Sequence, residues 1–251
     1  MEIESVESRL IIAINTSSIY FLRKLAEDEN EEVRCEVANN LNTTSLILDK
    51  LAEDENTEVR CGVVSNKNTS FLTLRKLAED KHKYVRRVVA WYEDTPTSML
   101  EILAEDQDED VRSGVALHEN TPLLILEKLA EDNNWYVRND VAQNENINSK
   151  ILEKLAGDEK NSVRCSVAEN KSSTDRVLNK LSMDINKYVR CAVANNINSS
   201  ASILEKLSED KDSKVRFAVA LNKNTLVKTL KILLKDKDDN VFEAANNHPK
   251  I

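Results

Sequence analysis

Four cysteines, Cys35, Cys61, Cys165 and Cys191, occupy one position of a 26-residue period in two adjacent pairs, which invites a metal site or a disulfide. Neither chemistry fits the spacing. No pair is Cys-x-x-Cys, two thiols are too few for structural zinc unless histidine joins them, and His82, His118 and His248 fall far from them in register. Helices stacked at the usual separation of about 10 Å also place equivalent residues beyond the reach of a disulfide, about 4.4 to 6.8 Å between Cα atoms. No metal or other cofactor is expected. A second set with chemical potential is the Val-Arg pair at Arg34, Arg60, Arg86, Arg112, Arg138, Arg164, Arg190 and Arg216, accompanied by aspartates at Asp28, Asp54, Asp80, Asp106, Asp132, Asp158, Asp184, Asp210 and Asp236. Guanidinium forks suit anions, so these rows could form a phosphate ladder or a catalytic one. Repetition argues for structure instead: Asp54 and Arg60 flank one short turn, and mutual pairing along a stack satisfies both rows.

The third set is aromatic. Tyr84, Arg87, Trp91 and Tyr136, with Trp135 adjoining and Tyr188 extending the row, put both tryptophans near the middle of the array. Aromatic residues and arginine are the usual anchors of an interface, and amides such as Asn139 and Gln143 beside them suit an extended peptide. The same side chains could instead pack between helices.

Unbroken intervals of 26 residues mean that each unit does the same structural job, so the chain is an array of about nine two-helix repeats. In the unit 43–68, Ile47, Leu48, Leu51 and Ala52 form one apolar face, which predicts a leucine helix from about Thr44 to Glu53 with Thr43 as its cap. Proline follows the equivalent threonine in Thr95-Pro96 and Thr121-Pro122, the favoured first helical position. Ile147 breaks the row, and Asn148 is read as the cap there. Asn56 is read as the cap of a Val-Arg helix that turns Val59, Val63 and Val64 inward, and Asn66 and its equivalents as left-handed terminators standing in for glycine. Such short helices are marginal alone, so stability must come from stacking. Residues 1–16 are expected to form an amino-terminal cap helix, because Glu7 and Ser8 replace Val and Arg, and residues 17–251 a single solenoid. Phe242 replaces the last arginine, and Asn246-Asn247-His248-Pro249 reaches the start of another leucine helix, so the final stacking face is expected to be incompletely covered and open to self-association.

Composition excludes much else. The 251 residues hold three glycines and three prolines, too few for a phosphate loop, a dinucleotide fingerprint or the tight turns of a β-sandwich. A formal charge of −9 argues against nucleic acid and anionic lipid as partners. Met1 to Glu4 are acidic where a signal peptide is basic, and Leu10 to Ile14 is too short an apolar run, so the protein is expected to be cytoplasmic, without a membrane segment.

The unit Val-Arg-x-x-Val-Ala-x-Asn-x-Asn-Thr followed by Leu-x-x-Leu-Ala-x-Asp, clearest in Val111 to Ala116 and Leu126 to Asp132, resembles the leucine-rich repeat variant family, a relative of HEAT repeats. The resemblance covers about Ser17 to Asn247. It implies an all-α, right-handed superhelix in which short α-helices alternate with α or 3₁₀ segments, no β-strand and no enzyme activity. The iron-sulfur cluster of some members is not implied, since no cysteine precedes Cys35. By analogy with HEAT repeats, the stripe formed by the equivalents of Glu58, Cys61 and Ser65 lines the concave surface, and the function expected is a non-catalytic scaffold for a peptide or protein segment. Alternatives are a HEAT-like DNA alkylation-repair glycosylase and a phycobilin-lyase-like or chaperone-like accessory. The first needs a basic groove, whereas the stripe carries Glu32, Glu58, Asp110, Glu169 and Glu243 against Arg87 and Lys214; only the Lys81, Lys83, Arg86, Arg87 cluster favours it.

Overall fold

A computed structural model describes residues 5–251; the acidic residues 1–4, used above against a signal peptide, lie outside the described part. The described residues form nineteen α-helices and no strand, a helical-repeat solenoid architecture. They divide into two compact units, residues 5–118 and 119–251.

The first unit opens with the helix Val6–Asn15. Leucine helices Ile19–Leu25, Ser45–Leu51, Phe71–Ala78 and Thr97–Leu103 then alternate with Val-Arg helices Glu31–Asn39, Thr57–Ser65, Lys83–Trp91 and Glu109–Leu117. In the second unit the leucine helices are Leu123–Leu129, Ser149–Leu155, Asp175–Leu181, Ala201–Leu207 and Val227–Leu233. Its Val-Arg helices are Trp135–Gln143, Asn161–Glu169, Lys187–Asn195, Ser213–Leu221 and Asp239–Asn246. Both kinds are α-helical; 3₁₀-type bonds close the leucine helices, as where Asp54 N–H donates to the Leu51 carbonyl at 3.1 Å. Within each unit successive Val-Arg helices pack directly on one another, and each leucine helix packs on the Val-Arg helices beside it. Leu48, Leu51, Val59 and Val63 lie buried between the two rows, as do their equivalents in other repeats. Each such side chain contributes roughly 1.5–3 kcal/mol by leaving water, which carries helices of seven to nine residues that could not persist alone.

The Asp and Arg rows pair, but not within one turn. Arg34 donates from Nε and Nη2 to both carboxylate oxygens of Asp54, at 2.6 and 3.0 Å, and from Nη1 to the Asp28 carbonyl at 2.8 Å. The extended guanidinium thus reaches forward along the stack to the next repeat's carboxylate and touches only the backbone of its own turn. The same fork joins Arg60 to Asp80 and Arg86 to Asp106 in the first unit, and Arg138 to Asp158, Arg164 to Asp184, Arg190 to Asp210 and Arg216 to Asp236 in the second. Each side chain is nearly buried, which strengthens the charge-assisted bonds. At the amino end, Arg9 lies 2.7 Å from Asp28, one position beyond the serine that holds the arginine register.

Three capping expectations are corrected. Asn66 does not adopt the left-handed conformation: its φ is −86° and ψ 123°, and no described residue has positive φ. Its buried amide instead donates to the Ala38 and Asn40 carbonyls of the preceding repeat at 2.6 and 3.0 Å, and its carbonyl accepts from Asn68 N–H. The asparagine row is therefore an inter-repeat clip, and Asn170, Asn196 and Asn222 repeat it. His248 takes over this register: its Nε2 lies 3.3 Å from the Asn222 carbonyl, while Nδ1 accepts from Lys250 N–H. The Thr43 row also serves the other helix. Thr43 donates its hydroxyl to the Val37 carbonyl at the end of the preceding Val-Arg helix, whereas Thr44 holds the cap position of the helix Ser45–Leu51. Pro96 and Pro122 likewise sit at the cap rather than inside the first turn. Asn56 and Asn148 do cap as read, accepting from Glu58 and Ile151 N–H groups at 2.8 and 3.0 Å.

Candidate partner-binding surface

Because Val59 and Val63 face the core, the equivalents of Glu58, Cys61 and Ser65 project from the other side of each Val-Arg helix. In the first unit this places Tyr84, Arg87 and Trp91 on the helix Lys83–Trp91. Tyr84 is 37% and Trp91 57% exposed. The Arg87 guanidinium folds over the Tyr84 ring, 5.1 Å from its centre, and reaches only the edge of ion-pair range from Asp110, at 3.9 Å. Lys83 is tied more firmly, 2.8 Å from Asp108. These groups border a cavity of about 410 Å³, walled by Thr57 and Glu58 on one helix, by the cap residue His82 with Lys83, Tyr84 and Arg87 on the next, and by the cap residue Asp108 with Asp110 on the third.

Trp91 stands two turns along the same helix. A Cβ on Gly114 would come within 2.7 Å of its indole and 2.9 Å of the Ala90 methyl, so the missing side chain is what lets the indole lie on the following Val-Arg helix. The sequence reading did not assign Gly114 or Asp108 to this surface. Its one legible signal was a glycine within a Val-Arg helix, a position otherwise shared only by Gly62.

In the second unit, Trp135 and Tyr136 are 40% and 45% exposed, with ring centres 6.0 Å apart edge to face. Asn139 is engaged laterally, its carbonyl accepting from the Ser166 hydroxyl at 2.9 Å. Tyr188 is 58% exposed beneath the Lys187 ammonium, which lies 5.6 Å from the ring centre and 2.9 Å from Asp212. Another cavity of about 440 Å³ is lined by Gln143, one of the amides read beside the aromatics, and by Glu145, Ser166, Glu169, Asn170, Lys171 and Ser172. The candidate residues thus form local groups: Tyr84 with Arg87, Trp135 with Tyr136, and Tyr188 with Lys187.

Burial pushes the thiols of Cys35, Cys61 and Cys165 up to about 11, with nearby carboxylates adding to the effect, and it raises Cys191 as well. Such thiols are poor nucleophiles at neutral pH. No three His, Cys, Asp or Glu side chains among the described residues gather to hold a metal ion, and no described helix is long and apolar enough to cross a membrane.

Among solved structures the chain is similar to one described as a leucine-rich repeat variant with a novel repetitive structural motif: 26% identity, 88% of each chain covered, TM-score 0.69. The chain shares the fold of that leucine-rich repeat variant. An engineered protein from a structural genomics consortium also aligns, with 16% identity over 96% of this chain and 93% of that one, at a TM-score of 0.41. No family model and no curated protein matches the sequence. In this chain the repeat supplies helices, ladder and clips from nearly invariant positions, and leaves the outward positions of the Val-Arg helices free to differ.

Proposed function

We propose that the chain is a non-catalytic scaffold that binds a peptide or protein segment along the outward face of its Val-Arg helices, in a cytoplasmic setting. The observation that carries this reading is Trp91, more than half exposed yet seated against Gly114, a preformed apolar plate with Tyr84 and its cavity on the same helix. Trp135, Tyr136, Asn139 and Tyr188 are the contact residues of the second unit. Large exposed aromatics are expensive on a surface unless a partner uses them, and rigid rings lose little entropy on binding. Of the basic cluster that would favour nucleic acid, Arg86 belongs to the ladder and Lys83 is bonded to Asp108, while Arg87 lies over Tyr84 beside Asp110, which leaves Lys81, too little by itself to hold a phosphate backbone.

The test is selection of binding peptides by display, followed by titration against wild type, Trp91→Ala and Glu169→Ala. Loss of an interface anchor costs at least about 2 kcal/mol, roughly thirtyfold in affinity. Trp91→Ala is expected to lose that much and Glu169→Ala to bind as wild type; the reverse result assigns the aromatics to packing.

A further inference from the structure

Tyr84 has acidic register neighbours on both sides, and this deepens the scaffold reading, on which it rests. Glu58 and Asp110 stand one repeat before and one repeat after it, so three parallel Val-Arg helices present carboxylate, aromatic ring and carboxylate in line across the 410 Å³ cavity. Glu58 is exposed and has no ion-pair partner among the described residues. The ring already receives a cation, since the chain's own Arg87 lies over it at 5.1 Å, held by Asp110 at no better than 3.9 Å. A loosely held internal guanidinium marks where an external one is stabilised, by the ring's negative face and by the two carboxylates. Tyr188 in the second unit offers the contrast. Its register neighbours are Ser162 and Lys214, and Lys187 covers its ring while bonded to Asp212.

We propose that the cavity at Tyr84 is a recognition site for a basic side chain of a bound peptide, with Tyr84 as platform, Glu58 and Asp110 as counter-charges, and Arg87 as the internal group that the incoming cation displaces. A peptide is favoured over a small polyamine because Trp91, two turns along the helix, extends the surface with an apolar plate that an isolated amine does not use.

A dye-labelled Gly-Ser peptide carrying arginines, its glutamate counterpart, and spermidine as a competitor serve as probes for the full chain, read by fluorescence anisotropy. The arginine peptide is expected to bind and the glutamate peptide not. Glu58→Gln and Asp110→Asn each weaken binding about fivefold, Tyr84→Ala at least as much, and Tyr84→Phe keeps it because the ring is retained. Arg87→Met tightens binding about twofold or more. Glu53→Gln, in the turn that follows the leucine helix Ser45–Leu51, leaves it unchanged. Equal losses for Glu58→Gln and Glu53→Gln, weaker binding by Arg87→Met, or spermidine competing as well as the peptide would each overturn the site. Display-selected peptides that depend on Trp91 but carry no basic residue would remove this inference and leave the scaffold standing; absence of any Trp91-dependent peptide would remove both.

Discussion

Truncating one carboxylate of the ladder should be far more damaging than truncating a neighbouring surface acid. Asp158 accepts from Arg138 Nε and Nη2 at 2.6 and 3.0 Å and from Lys160 N–H at 2.8 Å, and the paired side chains are 6% and 12% exposed. Asp158→Ala removes all three bonds and leaves the guanidinium with two carbonyls, those of Asp132 and Asn133 at 2.8 and 3.2 Å, and with the exposed Glu159 carboxylate at 3.8 Å, which solvent screens. Leaving one member of a buried pair uncompensated costs about 3–5 kcal/mol. The surviving carbonyl bonds and the residual solvent contact bring that toward the lower end, while the lost turn bond to Lys160 adds about 1 kcal/mol. A net loss of about 3–4 kcal/mol follows. Glu131→Ala is the control: its partner Lys154 and the acid itself are both largely exposed, so solvent screening leaves little to lose. Urea denaturation followed by helical circular dichroism compares the two. Adding Arg138→Met to Asp158→Ala should recover part of the loss, because no stranded charge remains. Equal midpoints for Asp158→Ala and Glu131→Ala, or no recovery in the double variant, would refute the assignment of the ladder to stability.

Acid should dissolve the same ladder. The Arg216 hydrogen bond holds Asp236 below its ordinary range, and for Asp158, Asp184 and Asp210 the opposing effect of burial is outweighed by the paired arginine and a backbone N–H. Their folded pKa values lie below the unfolded value of about 3.9, so their contribution is complete above that pH and disappears as pH falls through the folded values. Urea midpoints are expected to hold steady to about pH 5 and to drop steeply below about pH 4; a decline beginning near neutrality would refute this. Gly114→Ala, by pressing a methyl into the indole and the Ala90 methyl, should cost about 1–3 kcal/mol and change the Trp91 fluorescence measured in a Trp135→Phe background. Thiol titration with an aromatic disulfide at pH 8 should be slow for the native chain and fast in urea, because burial raises all four cysteines.

The period, both kinds of helix and the inward faces were legible in the sequence because they depend on apolar spacing within a single repeat. Asn56 and Asn148 were legible as caps for a related reason, since a cap's partner lies two or three residues away. The buried Asn66 and Thr43 rows were misread because their partners cannot be inferred from propensity. Asparagine after a helix favours a left-handed terminator in isolation, but Asn66 finds two carbonyls of the preceding repeat, 26 and 28 residues back. Thr43 reaches backward to Val37 rather than forward, because the tight link already places Thr44 at the cap. The forward reach of Arg34 to Asp54 was hidden similarly, since a strictly periodic chain offers every arginine two equivalent aspartates and only the stacking direction selects one. On the candidate surface, the aromatic positions could be identified by register, whereas the fold-back of Arg87 over Tyr84 and the Trp91–Gly114 seat needed side-chain geometry.

Every arginine fork points the same way along its stack, from one repeat to the carboxylate 20 residues on. Such a polar joint behaves like a screw thread: it records phase but not position. Excising residues 161–186 brings Lys187 directly after Lys160, and both Arg138–Asp158 and Arg190–Asp210 keep their own partners, because Arg164 and Asp184 leave together. Removing one residue more or fewer breaks the phase for everything downstream. Length in this architecture can therefore change by whole turns of the thread at little cost to the remainder, which makes the number of repeats a freely adjustable quantity for evolution or for design.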